Sequence, residues 1–303
     1  MACEALFQQA FEEKTGRPVH ELFDIVVGTS TGGIIGLALT MPNPQQAGQA
    51  MYQAEDLVKF YLEQSSRIFQ RSIWRKVSSG FGIWGAKYDR RHLDEVLEEF
   101  FQDSRLAQAL CPVGVLSYSL EKQLPRLWSS YVAQQEERKN HYMRDAAGVT
   151  SAAPTYFAPK EVLTAPHMER LAEVDGGIYA NNPAIASLIA TAHLYPDFKR
   201  QDMVVVSIGT GKRGSKRKYG FSGISGISRL ISSMMDATGE LVDEAVAAIT
   251  PGNYYDIEVV LPEELMPMDE SNQEHLQKLI KHAEQLLAAD EAKISELLQK
   301  LTK

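Results

Sequence analysis

Residues 23–33 read Phe23-Asp24-Ile25-Val26-Val27-Gly28-Thr29-Ser30-Thr31-Gly32-Gly33, and the apolar run Ile34 to Leu39 follows directly. Phe23 to Val27 is short, apolar and rich in β-branched residues, the composition of a buried parallel strand. Ile34 to Leu39 reads as the opening turns of a helix. Between them, Gly28-x-Ser30-x-Gly32 sits where strand must become helix, the context that a nucleophile elbow requires. Such a turn reverses within about one residue and leaves its serine strained, with the hydroxyl exposed. Glycines two positions away on either side remove side chains that would collide across the turn. The helix that follows offers free N–H groups and a partial positive charge, both suited to an oxyanion. At average glycine and serine usage, the bare pattern arises by chance in about one chain in ten of this length. The flanking strand and helix lower that to roughly a few per cent. The plain alternative is a tight turn with a helix-capping serine.

Outward from the elbow, Ala5, Leu6, Ala10 and Phe11 mark one face of a helix over residues 2–14, and Gly16-Arg17-Pro18 stops it. Pro42 and Pro44 close the helix after Ser30. Helices are expected over 45–64, 89–101, 143–152, 184–194 and 235–249, with a final amphipathic helix over 271–301. Strands are expected over 113–120, 171–174, 203–208 and 254–260, and 136–140 reads as an exposed connection. No internal repeat is visible. Strands alternating with helices argue for an α/β layered fold with a mainly parallel central sheet. The length suits one domain, with 1–212 as its catalytic part and 213–303 as a C-terminal extension packed on it.

The chain has 303 residues, 44% hydrophobic and 23% charged, and a net charge of −8, which argues against general nucleic-acid binding. Cys3 and Cys111 are its two cysteines, far apart in sequence; they form no disulfide framework and suit a reducing compartment. No apolar run approaches the ~18 residues of a membrane span. Met1 to Glu13 lacks the basic and apolar regions of a signal peptide, so a cytoplasmic location is expected. Against this acidic background, 66–91 holds seven basic residues (Arg67, Arg71, Arg75, Lys76, Lys87, Arg90 and Arg91) and one acid, Asp89. Phe69, Trp74, Phe81, Trp84 and Tyr88 are interleaved with them, and 212–218 is basic as well. Two readings stand for these stretches. They seat the chain peripherally on anionic lipid headgroups, with Trp74 and Trp84 at the interface, or they form a solvated loop with a few core aromatics.

A serine nucleophile needs a base. The late histidines are weak candidates: His193 sits near a helix end, and His275 and His282 lie seven apart on a polar helix face. Asp175 is stronger. It ends a strand, precedes Gly176-Gly177, which allow close approach, and shares a sheet edge with Ser30 if the two strands are parallel. Asp-Gly is equally a common turn pair. Gly209-x-Gly211-x-x-Gly214 matches a dinucleotide fingerprint weakly, because basic, glycine-containing sequence follows it instead of an apolar helix. No His, Cys or carboxylate cluster has metal-ligand spacing, so neither metal nor cofactor is expected.

Four segments then stand together: GTSTGG at 28–33, SAAPTYF at 151–157, DGGIYANNP at 175–183 and SIGTG at 207–211. In their order and spacing the chain resembles the patatin-like phospholipase family. The likeness covers Ala5 to Leu39 and Asp145 to Gly211 well, the middle loosely, and the region after Ser215 hardly at all. It implies a three-layer α/β/α fold and a serine esterase of lipid degradation, acting on phospholipid or other acyl lipids through a Ser–Asp dyad. Ser30 would be the nucleophile and Asp175 the base. Gly28, Thr29, Thr31, Gly32 and Gly33 would form the elbow, and Gly176 and Gly177, with Asn181, Asn182 and Pro183, the base loop. The family pattern also places a strand and a D-G-G-G-x-R-G loop, which supplies most of the oxyanion hole, ahead of the first helix. Here the sequence begins inside that helix, leaving the Thr31 N–H as one donor. Loss of a single donor costs about 10²–10³ in turnover. Either this start is truncated or misassigned, or the chain is a catalytically impaired module that binds lipid or a protein partner, which is the second reading.

Overall fold

The computed structural model describes residues 2–70, 86–164, 169–213, 224–262, 265, 270 and 272–302. The helices are α1 (Ala2–Thr15), α2 (Val19–Leu22), α3 (Thr31–Thr40), α4 (Ala54–Ile68), α5 (Arg90–Phe101), α6 (Ser130–Gln135), α7 (Met143–Thr150), α8 (Ala184–Leu194), α9 (Ile224–Ile249), α10 (Gln273–Ala289) and α11 (Glu291–Leu301). The strands are β1 (Val26–Thr29), β2 (Val113–Ser119), β3 (Leu124–Ser129), β4 (Lys160–Thr164), β5 (Glu169–Asp175), β6 (Val205–Ile208), β7 (Lys212–Arg213), β8 (Tyr254–Ile257) and β9 (Val260–Leu261).

β2 organises the main sheet. One of its edges is paired along 114–119 by β3, antiparallel. The other edge is shared by two strands. β1 runs parallel to the first half of β2, ending with Thr29 opposite Leu116. β5 runs antiparallel to the second half, ending with Asp175 opposite Ser117. β1 and β5 therefore point at each other along one edge, and their C-terminal ends meet at consecutive residues of β2. Residues 171–174 thus run against β1, not alongside it as the parallel reading supposed. β4 closes the far side antiparallel to β5. β6 pairs parallel with β8, and β7 parallel with β9. The result is a mixed sheet with parallel strands in a three-layer α/β/α arrangement. α3 and α7 pack on β2, with α4 and α5 behind them, while α8 lies against β1, β6 and α9.

The core follows from the apolar faces. Phe7 and Phe11 of α1, Ile35, Leu37 and Leu39 of α3, and Leu97 and Phe101 of α5 are all buried in one cluster. Ile294 and Leu297 of α11 belong to the same cluster. Burying each such side chain contributes about 1.5–3 kcal/mol.

Several element boundaries differ from the sequence reading, each for a local reason. The helix expected from residue 45 begins at Ala54, because a bridge between Pro42 and Ala50 and a left-handed Gly48 fold the preceding residues into a turn. A capping box between Gln53 and Asp56 then starts α4. The final helix breaks at Asp290 into α10 and α11. β3, which contains Pro125, and the mostly exposed β4 carry no buried apolar run, so pattern reading missed them. Residues 71–85 and 214–218, from the two basic stretches, lie outside the described residues, as does Gly214 of the dinucleotide-like pattern.

Candidate active site

Ser30 occupies the single position between β1 and α3, with φ 55° and ψ −124°. A non-glycine residue held there costs about 1–3 kcal/mol. Three features hold it. The Ser30 carbonyl accepts the N–H groups of Gly33 and Ile34 at 3.0 and 3.2 Å, starting α3. The Ser30 N–H donates to Thr150 Oγ1 at 2.9 Å, and that hydroxyl donates to the Leu116 carbonyl at 2.7 Å. Finally, the turn folds so tightly that a Cβ on Gly28 would run into the backbone of Gly32 and Gly33. Thr31 and Gly32 head α3, where the first N–H groups have no intrahelical acceptor. Gly32 also faces Glu4, a buried carboxyl whose pKa is raised by desolvation.

Asp175 arrives from β5. Its N–H donates to the Ala152 carbonyl at 3.0 Å, so residues 150–152 brace both the elbow and the acid. Gly176 passes so close to β2 that a Cβ there would stand 2.7 Å from the Leu116 backbone. The Gly177 N–H donates to Asp175 Oδ1 at 2.8 Å. The Thr29 hydroxyl donates to the Ala180 carbonyl at 2.9 Å, clipping the elbow to the loop that follows Asp175. The Ser30 hydroxyl lies near enough to the Asp175 carboxyl to favour its charged form. Asp175 is 4% exposed, and desolvation pushes its pKa up to about 6, against the opposing influence of the Ser30 hydroxyl and the Gly177 N–H.

The sequence reading named Ser30, Asp175 and the glycines around them, and the structure brings these together. It places two of the three late histidines elsewhere. His193 is exposed on the last turn of α8, and His282 Nε2 contacts the Val260 carbonyl at 2.8 Å. His275 lines the same cavity as Ser30. The Gly209–Gly211 turn engages a carboxylate of its own chain: the Gly211 N–H donates to Glu258 Oε1 at 3.1 Å. Thr150 was missed because it looked like one more small helical residue; its position just ahead of the 151–157 segment was the available signal.

Ser30 and Asp175 open into one cavity of about 1490 Å³ whose apolar lining includes Phe60, Ile68, Phe69, Leu97, Tyr156 and Phe157. That volume exceeds the ~300–1,000 Å³ of a typical small-molecule site. Among the described residues, no three His, Cys, Asp or Glu side chains group as a metal site. Nor, among them, is any helix long and apolar enough to cross a membrane.

Comparison with known proteins places this geometry in context. The family model described as Patatin-like phospholipase matches residues 2–188. Patatin-like protein 4 of Arabidopsis thaliana is 32% identical over 209 residues, which are 66% of this chain and 52% of that protein. Patatin-like protein 2 of the same plant is 27% identical over 313 aligned residues, spanning 91% of this chain and 75% of the relative. Patatin-T5 of Solanum tuberosum is 32% identical over 216 residues, 67% of this chain and 53% of its own length. The chain thus spans about half the length of some of these relatives and three quarters of another.

Proposed function

Because the chain belongs to the patatin-like phospholipase family, we propose that it is a lipid acyl hydrolase of the phospholipase A type, working through Ser30, Asp175 and an acyl-enzyme. The observation that carries the reading is the strained Ser30 at the elbow and the buried Asp175 carboxyl brought to one large cavity, with the Thr29 hydroxyl clipping elbow and base loop together. Ser30 Oγ attacks the ester carbonyl carbon while its proton passes to Asp175. The bond to the glycerol oxygen breaks, and that oxygen leaves as an alcohol with the proton from Asp175. Water then attacks the acyl-serine and gives a proton to Asp175; the fatty acid departs as Ser30 regains its hydrogen. The N–H groups at the head of α3 supply part of the stabilisation of the oxyanion.

The aromatic and aliphatic cavity lining suits an acyl chain. In the same reading the enzyme works as a peripheral cytoplasmic protein, seated on anionic headgroups through 66–91 and 212–218. The buried, unpaired thiols of Cys3 and Cys111 fit a reducing compartment.

A fluorophosphonate probe tests the assignment. Labelling of the folded chain should vanish in Ser30→Ala and slow by about 10²–10⁴ in Asp175→Asn, the range of general-base contributions. Folded protein that takes up no label would instead support the catalytically impaired module that binds lipid or a protein partner.

A further inference from the structure

Asn182 lies seven residues beyond Asp175, on the loop that carries the base. Both ends of its side chain are engaged. Oδ1 accepts the Ala184 N–H at 2.9 Å, tying the loop to the start of α8. Nδ2 donates to Asp243 Oδ1 at 2.7 Å, tying it to α9. The same Asp243 oxygen accepts the Tyr254 hydroxyl at 2.6 Å, and Asp243 Oδ2 faces Lys212 Nζ at 3.2 Å. Elements β7, β8 and α9 thus converge on one carboxylate, whose Oδ1 also accepts the Asn182 amide of the base loop. Hydrogen bonds to an ionised group are about twice as strong as neutral ones.

We propose that Asp243 is a positioning residue for the acyl transfer: through Asn182 it anchors loop 176–183 and so holds the Asp175 carboxyl against Ser30. This rests on reading Asp175 as the general base. A second contact of the same helix supports it. Met235 packs on Gly177, its methyl 3.2 Å from where a Cβ would stand, and the Gly177 N–H is the group that holds Asp175 Oδ1. Met235 and Asp243 are separated by about 12 Å of helix at 1.5 Å per residue, so α9 grips the loop at two separate points. Simple neutralisation of Lys212 does not require Asp243, because Lys212 also faces Glu258 at 3.4 Å and Asp256 at 3.8 Å. What Asp243 adds is the bond to Asn182. Its position lies beyond the residues 2–188 matched by the family model, so the C-terminal part of the chain takes a share in setting the catalytic geometry.

Hydrogen exchange on the full chain, combined with fluorophosphonate labelling across pH, tests the proposal. In Asp243→Ala, amides of 176–182 should exchange about tenfold faster while those of α3 keep their protection. Labelling of Ser30 should slow by about 10–10², with the acid limb of its pH profile displaced. Asp243→Asn keeps an acceptor for Asn182 and Tyr254 and should restore loop protection. Lys212→Met removes the ion pairs to Asp243, Asp256 and Glu258 but keeps the Asn182–Asp243 bond, and should leave the loop as protected as in the parent. Unchanged exchange in Asp243→Ala overturns the proposal, and so does a Lys212→Met chain that loosens the loop equally. If Asp243→Ala does not fold, Asp243→Ser, too short to reach Asn182 or Tyr254, carries the same comparison. Exchange decides the anchoring even in a chain whose Ser30 takes no label, so failure of the hydrolase reading and failure of this one are read separately.

Discussion

At Asp175 burial outweighs hydrogen bonding. The Ser30 hydroxyl and the Gly177 N–H both favour the carboxylate, yet desolvation leaves its pKa near 6 where 3.8 is ordinary. The gap is worth about 3 kcal/mol against the charged form in the folded state. Two consequences follow, of opposite sign. As a base, Asp175 works deprotonated, so the rate of Ser30 labelling should fall as pH drops through about 6. For stability, a folded pKa above the unfolded one means a contribution fully present below about 3.8 and lost as pH rises through about 6. Asp175→Asn removes the buried charge while keeping an acceptor for Gly177. It should therefore raise the unfolding free energy at pH 7–8 by about 1–3 kcal/mol while losing activity. Chemical denaturation of both proteins at pH 5 and pH 8 checks this, because the advantage of the Asn variant should shrink at the lower pH. An equal difference at the two values would mean that Asp175 titrates normally.

Among elements, α7 does more than cover the sheet. Its last residue, Thr150, accepts the Ser30 N–H and donates its hydroxyl to the Leu116 carbonyl, so helix, elbow and β2 meet at one hydroxyl. Thr150→Val keeps the shape and removes both bonds. Leaving the partly buried Ser30 amide and the Leu116 carbonyl without this partner should cost about 1–3 kcal/mol. Thermal unfolding measures that loss, and labelling of Ser30 should weaken with it; Thr150→Ser should recover both. Parent-like behaviour of the valine variant would show that Gly28 and α3 hold the elbow unaided. The elbow and α3 were legible in the sequence because their signals lie within a few residues of each other. β3 and β4 were not, since pairing with a neighbour, not burial of an apolar run, makes them strands. The orientation of β5 was equally hidden: strand composition carries no direction.

Over the whole molecule, charge is unevenly spread. The chain carries −8, yet 66–91 and 212–218 are basic. On an anionic surface each Lys or Arg contributes about 1 kcal/mol. Replacing Arg71, Arg75 and Lys76 with Glu should therefore weaken binding to anionic vesicles by about 10²-fold or more. Vesicle sedimentation at low and at physiological salt measures it, and unchanged binding would make these residues an ordinary solvated loop. By itself the sequence determined the alternation of strand and helix and the serine at the elbow, because such a turn depends on glycines two positions from Ser30. It also narrowed the base to an aspartate before two glycines or a late histidine. Only the tertiary structure brought Asp175 to the elbow of Ser30. Ser30 and Asp175 are 145 residues apart, and they meet because β1 and β5 end at adjacent residues of β2. Strand register decides that meeting, and no local pattern encodes register. The grip of Asp243 on the base loop was hidden for the same reason, since three distant elements must pack before one carboxylate can join them.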